Sequence, residues 1–210
     1  MAMIPSTDHD DAAAPRPIKS WLRANALPLI LASLSTFFAL IGEPATHWLR
    51  YDRLAILDDQ WWRLLSGNMV HLGWSHLLLN LAGLLLVWLL FRHTLTTRRW
   101  ILVTAISALT IGGGLLLFDP GLEWYVGLSG VLHGLFAAGL VSALFAGNRA
   151  DWLLLIFFVA KIAWEQSVGT MPGTAEIAGG NVIVDAHLYG AIGGAVTAFL
   201  LALSKRRHAH

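Results

Sequence analysis

A serine and a histidine stand fifty-eight residues apart, each near the start of an apolar run: Ser129 in Gly127-Leu128-Ser129-Gly130 and His187 in Ala186-His187-Leu188-Tyr189. A serine hydroxyl attacks a carbonyl poorly unless a base takes its proton, and neutral imidazole suits that task near pH 7. The pair reads as nucleophile and base, provided that the fold brings both run mouths to one side. The tetrahedral intermediate of such chemistry needs donors aimed at its oxyanion. Backbone N–H groups at a helix start lack intrahelical partners and sit at the positive end of the dipole, so the Ser129 N–H is a candidate donor. His76 and Asn80 add side-chain donors, because i, i+4 spacing puts them on one helix face. Gly127 and Gly130 are expected to let the chain turn and a substrate strand approach Ser129.

The elements that must position these groups are membrane helices. Hydrophobic residues make up 56% of the 210-residue chain, charged ones 13%, and the mean hydropathy is +0.63. A soluble domain carries roughly twice that charge fraction. Apolar runs cover Ala24–Gly42, Leu77–Phe91, Trp100–Phe118, Trp124–Asn148, Trp152–Ala160 (reaching Val168 across Lys161 and Glu165) and Ala186–Ser204. Measured against the ~20 residues of a span, they predict an all-α, polytopic bundle of six transmembrane helices. The domain plan is a tail over 1–23, a membrane domain over 24–204 and a basic tail over 205–210. Ser129 lies five residues into its run, which places it about 7 Å along a continuous helix. The net charge of +1 gives no case for a nucleic-acid partner, and the absence of cysteine excludes disulfides and thiol chemistry.

Basic residues set the orientation, since cytoplasmic loops carry the excess of Lys and Arg. Arg16, Lys19, Arg23, Arg92, Arg98, Arg99, Arg149, Lys205, Arg206 and Arg207 fall on one side; only Arg50, Arg53 and Arg63 fall on the other. Both termini are therefore expected in the cytoplasm. Helices two, four and six then all begin on the outer side, carrying His76 and Asn80, Ser129, and His187. The orienting residues include none of these four, so the convergence is an independent test of the chemistry.

Other polar groups have bland readings beside the chemical ones. Lys161 and Glu165, spaced i, i+4 near the outer end of the fifth run, read first as a mutually neutralising pair. Substrate binding, and Lys161 as an alternative base, stay open. Gln166 is a candidate contact for a substrate backbone. His71 reads as an organiser of the first connection, and Asp185 as the N-cap of the last helix, with a role as third triad member kept open. Gly190 and Gly194 read as a close-packing helix face.

Gln60-Trp61-Trp62-Arg63, then His71, His76 and Asn80 within HLGWSHLLLN, resemble the first loop and second helix of the rhomboid proteases. GLSG resembles their serine motif, and His187 followed by Gly190 and Gly194 resembles their last helix. The ordered set spans Gln60 to Gly194. The resemblance implies a six-helix intramembrane serine protease with a Ser129–His187 dyad and an oxyanion hole of His76, Asn80 and the Ser129 backbone, working without a cofactor. GLSGVLHG looks closest to the rhombosortase branch, which implies membrane-anchored substrates ending in a Gly-Gly-containing tail, a transmembrane segment and a basic cluster. It also implies a bacterial inner membrane, with the lipid bilayer as surroundings and the site opening outward. Two positions depart from the family pattern. His133 replaces a tyrosine that packs on the catalytic histidine; packing or orientation is preferred over contact with substrate or competition as base. Gly67 replaces a frequent histidine.

A metal hydrolase built on His71, His76, His133 and His187 is the first rival. The chain holds no HExxH, and i, i+5 spacing turns His71 and His76 apart, so no metal is assigned. A binder or transporter using polar groups near the midplane is the second.

Overall fold

The computed structural model describes residues 18–148 and 151–207. Arg16, Arg149 and most of the N-terminal tail lie outside the described residues. The chain forms helices α1 (Ile18–Ala24), α2 (Ala26–Ile41), α3 (Glu43–Leu49), α4 (Arg53–Leu57), α5 (Arg63–Ser66), α6 (Trp74–Phe91), α7 (Thr97–Phe118), α8 (Ser129–Phe145), α9 (Asp151–Val168), α10 (Thr174–Ala178) and α11 (Val184–Arg207). The six apolar runs become α2, α6, α7, α8, α9 and α11. By length and composition, α6, α7 and α11 can each cross a membrane, and α1 with α2, bent by 71°, make a fourth candidate. Helix α8 has only 17 residues, and α9 carries Asp151, Lys161 and Glu165, so these two do not qualify on that ground alone. Large apolar side chains such as Leu78, Leu85, Ile156, Phe157 and Leu200 point outward, as lipid-facing surfaces require.

Helix α8 is the hub, with ten of its seventeen residues buried. It is rich in glycine and alanine, which lets neighbouring backbones approach closely. A Cβ on Gly190 or Gly194 of α11 would run into the carbonyl oxygens of Gly130 and Gly134 on α8. From the third side, Ser107 and Ile111 of α7 fill the space beside Gly134 and Gly130. Gly130 is thus a packing residue inside a helix. The expectation that it would open a turn for substrate fails, because its missing side chain is replaced by α11.

One small element was not legible from composition. Tyr51–Asp52 and Trp124–Tyr125 pair as an antiparallel ribbon, Tyr51 opposite Tyr125. The ribbon corrects the depth argument: residues 124–128 are not helical, and α8 begins at Ser129 itself. A 17-residue helix rises about 25 Å, short of the about 30 Å hydrocarbon core of a bilayer.

The first connection ties this ribbon to the bundle through arginines. Arg53 donates to the carbonyls of Leu115, Leu116 and Asp119 at the end of α7, where a cation also meets the negative dipole end. Buried Arg63 donates to Gln60 Oε1 and to the carbonyls of His47 and Arg50. Gly67 lies under the ribbon: its carbonyl accepts the Gly127 N–H at 3.0 Å, and a Cβ there would stand 2.6 Å from Tyr51 N. No histidine fits at that place.

Candidate active site

Three helix starts and one helix end meet at the ribbon side of the bundle. Ser129 opens α8, His187 lies in the first turn of α11, His76 in the first turn of α6, and Glu165 in the last turn of α9. Gly127 has φ +126°, a conformation that excludes ordinary side chains. A Cβ there would also stand 2.7 Å from the His76 ring. The turn is pinned by buried Tyr125, whose hydroxyl donates to the Gly127 carbonyl at 2.6 Å. The glycine therefore shapes the turn before Ser129 and leaves room for the His76 ring against it.

Ser129 Oγ and His187 Nε2 are 2.9 Å apart. The rest of the polar cluster closes into a ring. His187 Nδ1 contacts Glu165 Oε2 at 3.0 Å, and Lys161 Nζ contacts the same oxygen at 2.7 Å. Lys161 Nζ also reaches His133 Nε2 at 2.7 Å, and His133 Nδ1 reaches the Ser129 carbonyl at 2.7 Å. Donor chemistry assigns the protons. An ammonium only donates, and a carbonyl and a carboxylate only accept. So His133 carries its proton on Nδ1 and accepts from Lys161, while His187 donates Nδ1–H to Glu165. That leaves His187 Nε2 bare to accept the Ser129 hydroxyl proton. The His133 ring also stacks on His187, centroids 4.1 Å apart and 15° from parallel.

Asn80 is buried one turn beyond His76 and donates through Nδ2 to the His76 carbonyl at 3.0 Å. Gly83 on the same face abuts Leu132 of α8. Asn80 keeps a second amide hydrogen beyond the one used locally. Leu128, the residue before α8, offers no side-chain cap to its first N–H groups.

Other expected residues fall elsewhere. Gln166 is exposed and donates to the Val184 carbonyl at 3.3 Å, joining α9 to α11 rather than facing Ser129. Asp185 lies inside the first turn of α11, which begins at Val184, so it is not the N-cap. His71 and His76 are not turned apart: His71 precedes the helix, and the rings meet edge-on at 5.1 Å. Sequence reasoning paired Glu165 with Lys161 and missed its contact with His187. The available signal was the level of both residues in the fifth run, beside the dyad.

His71 is 6% exposed, and among the described residues neither ring nitrogen has a well-formed hydrogen bond. Burial, with the His76 ring beside it, holds its pKa down to about 3. The unfolded chain, with an ordinary value near 6.5, takes up this proton first as pH falls. Stability from neutral His71 is therefore complete above about pH 6.5 and drains away as pH drops toward 3. His71→Phe should flatten the melting temperature against pH across that window; an unchanged slope relative to wild type would refute it.

By type, His133, Glu165 and His187 form a donor set for a metal, with ligand atoms within 4.8 Å of one another. The Lys161 ammonium already lies 2.7 Å from two of the three, which fills that place with a fixed cation. Beside the ring opens an apolar cleft of about 390 Å³, lined by Gly83, Leu86, Leu132, Phe136 and Phe157 and reaching Ser129 and Lys161.

Comparison with known proteins gives this arrangement a context. A family model described as "Rhomboid domain" matches residues 58–204. The chain is 27% identical over 179 residues to "Putative rhomboid protease YdcA" of Bacillus subtilis, covering 84% of this chain and 86% of that one. It is 31% identical over 195 residues to "Uncharacterized protein Rv1337" of Mycobacterium tuberculosis, covering 89% and 79%. To "Rhomboid protease GlpG" of Yersinia enterocolitica it is 28% identical over 185 residues, covering 85% and 64%.

Proposed function

Because this chain belongs to the rhomboid family, we propose that it is an intramembrane serine endopeptidase with Ser129 as nucleophile and His187 as base. The observation that carries the reading is the 2.9 Å contact between Ser129 Oγ and His187 Nε2, at the head of a short buried helix and beside an apolar cleft. Ser129 Oγ bonds to the scissile carbonyl carbon while its proton passes to His187 Nε2. The carbonyl oxygen becomes an oxyanion, received by the Ser129 N–H, Asn80 and His76. His187 then protonates the leaving nitrogen, the C–N bond breaks, and an acyl-enzyme remains on Ser129. Water, deprotonated by His187, bonds to the acyl carbon, the bond to Ser129 Oγ breaks, and the proton on His187 returns to Oγ as the acid product leaves.

Six spans carry the site, the 17-residue α8 and the charge-bearing α9 completing the set within the bundle. Both termini face the cytoplasm of a bacterial inner membrane, and the Ser129 end opens outward. The excess of Lys and Arg in the termini and the alternate connections supports this orientation.

The substrate is a membrane-anchored protein whose transmembrane segment lies against the apolar cleft. Its finer class, a C-terminal Gly-Gly, transmembrane and basic sorting tail, rests on the GLSGVLHG resemblance. Co-expression with a test protein bearing such a tail, read by intact mass, decides it. Loss of the tail with wild type supports the class. An intact tail alongside an enzyme that reacts with a fluorophosphonate removes that class and leaves other single-span substrates.

Asn80→Ala tests the oxyanion role. Turnover should fall by about 10²–10³-fold with KM little changed. A purely structural Asn80 would lower melting temperature and leave turnover per folded molecule intact.

A further inference from the structure

A buried carboxylate bonded to the remote nitrogen of the catalytic histidine has no part in a two-residue mechanism. We propose that Glu165 is the third member of this centre, a positioning residue that fixes the tautomer and orientation of His187 and stabilises the imidazolium formed during attack. The inference rests on the serine-protease reading above and deepens it.

Glu165 is 4% exposed, and its Oε2 lies 3.0 Å from His187 Nδ1. Together with the 2.9 Å serine contact this makes a serine–histidine–carboxylate chain running through both ring nitrogens. The carboxylate only accepts, so it holds the His187 proton on Nδ1 and keeps Nε2 free. When the Ser129 proton arrives at Nε2, the new cation faces an anion already in place, and Glu165 itself stays unprotonated. Lys161 anchors the carboxylate through the 2.7 Å ion pair, and His133 holds Lys161 while stacking on His187. Each tautomer in the ring follows from the fixed donor Lys161 and the fixed acceptors Glu165 and Ser129 O. Asp185, the other acid near His187 in sequence, makes no hydrogen bond to it among the described residues.

The competing account is an ion pair that merely neutralises Lys161 inside the bundle. Three full-length variants separate the two: Glu165→Gln, Glu165→Asp, and Lys161→Gln with Glu165→Gln. Glu165→Gln keeps the shape but presents an amide that can donate to Nδ1 and install the wrong tautomer. The double variant also removes the charge left on Lys161. The probe is a fluorophosphonate, which reports Ser129 activation independently of any protein substrate, supplemented by kcat and KM on a cleaved test protein and by melting temperature.

Glu165→Gln and the double variant should both label about 10²–10⁴-fold more slowly than wild type, with kcat falling and KM within about threefold. Glu165→Asp should recover at least about tenfold over Glu165→Gln, because it restores the acceptor. Wild-type labelling by a folded Glu165→Gln protein overturns the proposal, and so does recovery in the double variant, the mark of a neutralising pair. If Glu165→Gln does not fold, the charge-balanced double variant decides. Failure of the protease reading looks different: wild type itself would not label.

Discussion

Ser129→Ala is expected to abolish peptide-bond cleavage, by at least about 10⁴-fold, while the protein inserts, purifies as a single species and melts close to wild type. The reason is local. Ser129 Oγ bonds His187 Nε2, and His187 keeps its place without that bond because Glu165 holds its other ring nitrogen. The backbone N–H and carbonyl that shape the turn survive the change, and the His133 bond to the Ser129 carbonyl survives with them. His187→Ala should lose as much activity, since a nucleophile without its base is nearly as poor as none. The double variant should be no worse than either single one, because the two act as a unit. Cleavage at the wild-type rate by folded Ser129→Ala protein, measured by intact mass, would falsify the mechanism.

Gly194→Leu is expected to cost stability more than any other single change considered, about 3 kcal/mol or more. Its Cβ has nowhere to go: the obstacle is the Gly134 carbonyl on a neighbouring helix, not a side chain able to rotate. The milder Gly190→Ala carries the more informative outcome. Its methyl meets the Gly130 carbonyl one residue after the nucleophile, so α11 must move away from α8 at the level of the active site. A displacement on the order of 1 Å costs about 10²-fold in a reaction that depends on aligned groups. Gly190→Ala should therefore remain folded and label with fluorophosphonate about 10²-fold more slowly. Labelling at the wild-type rate would mean that the 2.9 Å contact is set by something other than this glycine seam.

The legible part of the fold was the part written in hydropathy. Charge-free runs located α2, α6, α7, α8, α9 and α11 to within a few residues, because a lipid-facing helix must be apolar over its whole length. Two features escaped for physical reasons. The ribbon between Tyr51 and Tyr125 has two residues per strand, too short for alternation to register, and its long-range pairing has no local signature. The start of α8 was hidden because the apolar residues 124–128 read the same whether helical or extended. At the site, Ser129, His187, His76 and Asn80 stood out as polar groups near helix mouths; the structure sets Ser129 against His187 and His76 beside Gly127, with Asn80 one turn further along α6. Gly130 was misread because glycine serves turns and close packing alike, and only the neighbour at Gly190 tells them apart. Glu165 was half legible: the i, i+4 partner Lys161 is visible in the chain, but contact with a residue on another helix is not.

Helix α9 buries only two residues, Asp151 and Glu165, one near each end. Between them Leu154, Leu155 and Phe158 pack partly buried against the core, and in lipid such apolar contact adds little to a helix's hold on its neighbours. Its lower-end acid stands at the membrane side away from Ser129, while its upper-end acid is the one bonded to His187. Because the cleft and the carboxylate share α9, a displacement of α9 away from α8 would widen the cleft and withdraw Glu165 from the histidine together. Room for a substrate and readiness to cut would then trade against each other on a single helix.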